Sequence, residues 1–180
     1  MSTDLLARIR SHALSTTKDM EAVPASIHAI EKAESQLTFK LPPLLRACYL
    51  EIGNGGFGPG YGLIGFEGGA QSDFGSITET YNQLKSDQQS LGNEWPLQLL
   101  PFCDWGCNVF SCVDCSNENA SISMFDAGQL IPKSYNLAAF FEMWVGGSDI
   151  LLASSGDLVT QQVLNPFTGT KTTVQMRKQV

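Results

Sequence analysis

Residues 53–69 hold nine of the chain's seventeen glycines. Each glycine inside a helix or strand costs roughly 0.5–1 kcal/mol relative to alanine, so long regular structure is excluded there. The expected product is a turn-rich stretch with several left-handed residues, around a short strand at Leu63–Phe66. Gly53-x-Gly55-x-x-Gly58 formally matches a dinucleotide-binding fingerprint. That motif works only between a strand and a helix whose N-terminus meets the pyrophosphate. Here a helical pattern precedes it and Pro59-Gly60 follows, so no cofactor is expected.

The glycines separate two kinds of pattern. Before them, Leu5, Leu6, Ile9 and Leu14 recur at helical spacing over residues 4–16. Pro24 and Ser26 open a second helix, with Ile27, Ile30, Ala33 and Leu37 inward and Glu31, Lys32 and Glu34 outward. Pro42-Pro43 start a third, which Gly53 is expected to stop by turning left-handed. After the glycines, residues 76–91 predict a polar helix built on Ile77, Tyr81, Leu84 and Leu91. Three short strands follow at Leu97–Phe102, Asn108–Asp114 and Ser121–Phe125, with Asp, Asn, Gly and Ser in the gaps. Phe140, Phe141 and Trp144 mark a last helix over 136–152, broken at Gly146-Gly147. Residues 157–164 and 170–176 read as strand, turn, strand. No linker, repeat or charge block divides the 180 residues, which predicts one domain.

Charge narrows the function classes. The formal net charge is −7, unevenly spread. Residues 47–170 carry thirteen acids against Lys85 and Lys133 alone, while both flanking segments are slightly basic. Such a body repels nucleic-acid phosphates and anionic membranes and suits a basic partner. No apolar run approaches the length of a spanning helix, and the first residues lack a signal-peptide pattern, so a cytoplasmic protein is expected.

Cys103, Cys107, Cys112 and Cys115 are the sharpest candidate for metal chemistry, since four thiolates suit zinc. Their spacing along one predicted hairpin argues for packing instead, because residues five apart on a strand point to opposite faces. The two histidines, His12 and His28, lie in predicted helices without a nucleophile motif. Asp104, Asp114, Glu118 and Asp126 gather around the predicted hairpins. Carboxylates there either hydrogen-bond their own turns or face a partner, and the second reading makes them candidate contacts. Phe57 and Tyr61 sit in a loop that its glycines should make mobile. They are candidate interface anchors, or they fold back on the core.

The order of features supplies a further clue. Ile30-Glu31-x-x-Glu34-x-x-Leu37 leads to Leu41-Pro42 and a helix, then to Gly53-Asn54-Gly55-Gly56. Leu100-Pro101-Phe102, Val113-Asp114, Phe125-Asp126 and Phe140-Phe141-x-x-Trp144 follow. This order resembles the SUKH superfamily, the Smi/Knr-like proteins named after a yeast cell-wall synthesis regulator. The likeness runs from about Ile27 to Leu152 and departs at Cys103-Asp104-Trp105-Gly106-Cys107, where thiols replace the usual turn. It implies an α+β fold with a mixed, mostly antiparallel sheet packed by helices, and no catalytic residues. It also implies an immunity protein that binds a cognate toxin domain, often a nuclease, or a regulatory scaffold like the yeast namesake.

Overall fold

A computed structural model describes residues 3–16, 23–153, 158–164 and 171–177. Helices α1 (Thr3–Thr16), α2 (Ile27–Leu37) and α3 (Pro43–Glu51) come first, then strand β1 (Gly62–Leu63) and helix α4 (Ile77–Ser90). Strands β2 (Leu99–Gly106), β3 (Val109–Asp114), β4 (Ser121–Asp126) and β5 (Gln129–Asn136) follow, then α5 (Leu137–Val145) and a short α6 (Ile150–Ala153). Strands β6 (Leu158–Leu164) and β7 (Lys171–Arg177) match the two expected strands and pair antiparallel as a separate two-stranded sheet, while the turn expected between them lies outside the described residues. The main sheet has the order β1-β2-β3-β4-β5. Every pairing in it is antiparallel, so the α+β expectation holds and the sheet is a simple meander.

Phe110, Ser111, Cys112 and Val113 are buried at four successive positions of β3. Successive strand residues face opposite ways, so both faces of the sheet's centre are covered. On one side Phe140 of α5 meets Phe102 edge-on, ring centroids 5.1 Å apart. Phe110 and Phe125 are cross-strand partners and share a face. They meet Phe74 and Trp95, which flank α4, at 6.0 and 5.4 Å. Helix α1 turns Leu5, Ile9 and Ala13 inward against α3 and α5. It is tied there by two hydrogen bonds from Arg8 to Glu142, at 3.0 and 2.6 Å.

Four sequence expectations shift, each for a physical reason. Strand β5 was not foreseen, because Pro132 in its middle argues against a strand; at a sheet edge the missing N–H is tolerated. Leu14, Ile27 and Leu91, expected inside, are 64%, 47% and 70% exposed, since each sits at a helix end beyond the packed stripe. Ile52, in right-handed geometry, caps α3, so Gly53 is not needed as a left-handed stop. Glu34, expected outside, is 3% exposed. Its carboxylate accepts hydrogen bonds from Leu41 N–H at 3.1 Å and Lys40 at 2.7 Å, with Arg46 Nε 3.7 Å away. A buried charge persists only when so compensated, and this one locks the end of α2 to the start of α3.

The glycine-rich stretch is a hub of specific hydrogen bonds. Asn54 Oδ1 accepts from Phe66 N–H at 2.8 Å, and Asn54 O from Ala70 N–H at 2.9 Å. Gly55, at φ +78°, leaves no room for a side chain: a Cβ would stand 2.5 Å from Gly65 N and 2.6 Å from Leu63 O. Gly53-Asn54-Gly55-Gly56 thus marks where a tight turn is stitched to the loop that crosses it.

Candidate partner-binding site

The antiparallel register separates the four candidate acids. Asp104 stands opposite Phe110, which stands opposite Phe125, next to Asp126. Asp104 and Asp126 therefore lie at one end of the sheet, by the β2–β3 and β4–β5 turns. Asp114 is four residues further along β3, about 13 Å away at ~3.3 Å per residue. Glu118 follows it in the β3–β4 connection, at the other end, and is exposed. The acids form two groups, which a linear reading of the sequence does not reveal.

Their hydrogen bonding also differs. Asp114 Oδ1 accepts from Ser116 N–H and Oδ2 from Asn117 Nδ2, both at 2.8 Å, so its own turn uses both oxygens. Asp104 Oδ1 accepts from Gly106 N–H at 2.7 Å, while Oδ2 makes no hydrogen bond among the described residues. Both Asp104 and Asp126 are half-buried.

Phe57 and Tyr61 also part company. Phe57 is 2% exposed, with its ring 6.4 Å from that of Trp144, so it is a core residue and unavailable to a partner. The reason is geometric: Phe57 O accepts from Leu63 N–H at 2.7 Å, closing the loop inward. Tyr61 is 76% exposed, on a backbone that is pinned rather than loose. Its N–H donates to Asp104 O at 2.8 Å, and Gly62 N–H donates to Pro59 O at 3.0 Å.

Two turns interlock here. The Tyr61 ring fills the place a Cβ on Gly106 would need, and the Trp105 ring lies where a Cβ on Gly60 would come within 2.9 Å. Each aromatic thus rests on the other turn's glycine. Trp105 is held further by its indole N–H, which donates to Ser111 Oγ at 2.9 Å. Trp105 and Gly106 were not singled out from the sequence; the signal was the pairing of Asp-x-Gly with Gly-Tyr-Gly, and only the fold brings them together.

The thiols are dispersed. Cys103 and Cys112 are buried, Cys115 is half-buried and Cys107 is exposed at the β2–β3 turn. Burial pushes the Cys115 thiol up to about 12, and raises Cys103 and Cys112 as well, holding all three protonated near neutrality. Among the described residues no group of three or more His, Cys, Asp or Glu is placed to hold a metal ion.

The sequence matches the SMI1/KNR4 family (SUKH-1) over residues 24–145, about two thirds of the chain. The chain belongs to that family. No curated protein matches it at significant similarity. The matched segment covers α2 to α5, so the SUKH-1 core carries both the Glu34 lock and the interlocked turns. Helix α1 is an addition packed onto it. No helix among the described residues is long and apolar enough to cross a membrane.

Proposed function

We propose that this SUKH-1 protein acts by binding rather than catalysis, as an immunity protein that neutralises a cognate basic toxin domain, such as a nuclease. The carrying observation is the end of the sheet where Asp104 stands beside the exposed ring of Tyr61, with Asp126 at the same end two strands away. From Arg46 to the C-terminal end of α5, Lys85 and Lys133 are the only basic residues. Nuclease clefts are positive in order to receive phosphate, and an acidic face speeds association with such a cleft and helps specificity. An aromatic anchor with a charged rim is the arrangement in which a few residues carry most of an interface's energy. Co-expression with the toxin domain encoded beside the gene tests the proposal: protection of cells and a co-purifying complex support it, and neither appearing refutes it.

The second reading is a regulatory scaffold resembling the yeast namesake, with the family membership as its support. It predicts a pull-down containing several housekeeping proteins in place of one toxin.

A further inference from the structure

Gly106 joins the two groups that make this end unusual. Its N–H donates to Asp104 Oδ1 at 2.7 Å, and the Tyr61 ring occupies the position its Cβ would take. An aromatic face and a carboxylate are thereby fixed side by side, both at the surface. A planar cation satisfies both at once. A guanidinium can lie over a tyrosine ring and direct its N–H groups to a carboxylate oxygen, whereas an ammonium is a compact, strongly hydrated point charge. The site is also built in advance. Tyr61 N–H is bound to Asp104 O, and Trp105 is clamped between Gly60 and Ser111. Little conformational entropy remains to be lost on binding. Asp104 Oδ2 is the acceptor that the local turn leaves open.

From this juxtaposition we infer that Tyr61 and Asp104 form a recognition site for an arginine side chain of a protein partner. Resting on the reading above, this names the chemistry of the partner's contact. A basic cleft built to hold phosphate presents such arginines, and the site would engage one of them in place of phosphate.

The test uses the full chain and needs no toxin. A six-residue arginine peptide and a six-residue lysine peptide are titrated separately, with the Tyr61 ring and Gly106 amide signals followed by NMR. The arginine peptide should shift both signals saturably and bind about fivefold or more tighter than the lysine peptide. Tyr61→Ala and Asp104→Asn should each weaken arginine binding by about fivefold or more, and Tyr61→Phe should retain most of it. Tyr61 is exposed, so its variants should fold. No shift at these signals, equal binding of both peptides, or undiminished binding by Tyr61→Ala overturns the inference. Toxin capture that survives Tyr61→Ala, with no peptide shift, overturns it while leaving the immunity function standing. A peptide titration as expected, without protection from the toxin, does the reverse.

Discussion

Asp104 and Asp114 lie on neighbouring strands of one sheet, in the same composition of Asp, Gly, Asn and Ser, and their surroundings use them differently. At the far end, Asp114 spends both oxygens on Ser116 and Asn117 of its own turn. At the near end, Asp104 spends one on Gly106 and stands beside an exposed tyrosine. Glu34 marks a third situation: a carboxylate buried with Lys40, Arg46 and the Leu41 N–H as partners. Equal formal charges are thus a turn-former, a surface carboxylate with one oxygen left open and an internal lock. Counting acids says nothing about which is which; accounting for their hydrogen bonds does.

Substitutions sharpen this contrast, and the largest effect belongs to the core. Phe57→Ala should cost about 3–5 kcal/mol in urea unfolding, as for other buried aromatics, and Tyr61→Ala almost nothing. Equal losses would undo the division between the two aromatics. Glu34→Ala should cost about 3 kcal/mol, because it strands the Leu41 N–H, and Glu34→Gln should recover part of that. An unchanged urea midpoint for Glu34→Ala would show that the lock between α2 and α3 is not one. Asp114→Ala should cost about 1 kcal/mol by opening its turn, with no change in partner affinity.

A further effect is confined to alkaline solution. Burial raises the Cys48 and Cys115 thiols to about 12 in the folded chain, above the ordinary value of 9.0. Folding therefore favours the protonated thiols. The stability tied to them is fully present below pH 9 and is lost as pH rises from 9 towards 12. Urea midpoints should be level from pH 7 to 8.5 and fall beyond 9, and fall less steeply in Cys48→Ala measured against its own neutral value. An aromatic disulfide reagent at neutral pH should label Cys107 at once and the three buried thiols only on unfolding.

Much of the fold was legible because apolar spacing records which face is buried. Leu5 and Ile9, or Phe140, Phe141 and Trp144, face inward as their periods require, whereas Leu14, named with the first two, is exposed and Ala13 takes the inward place. What escaped the pattern was decided by tertiary partners. Pro132 hides a strand that exists only because it lies at an edge, and Glu34 reads as a surface residue until Leu41, Lys40 and Arg46 close around it. The candidate site was half legible. Asp104, Asp126 and Tyr61 were named from residue type alone, but Phe57, four residues from Tyr61 in the same loop, was indistinguishable from it. The grouping of Asp104 with Asp126, and of Asp114 with Glu118, follows from antiparallel register, a long-range property that local sequence does not carry.

The most direct test compares the two ends of the sheet. Affinity for the proposed toxin partner is measured for two charge-reversed variants, Asp104→Lys with Asp126→Lys, and Asp114→Lys with Glu118→Lys. The first pair should weaken binding by about a hundredfold, through slower association as well as faster dissociation and with a flatter salt dependence, and the second by less than about threefold. Equal losses, or a larger loss from Asp114 and Glu118, would contradict the assignment of the Tyr61 end as the binding surface.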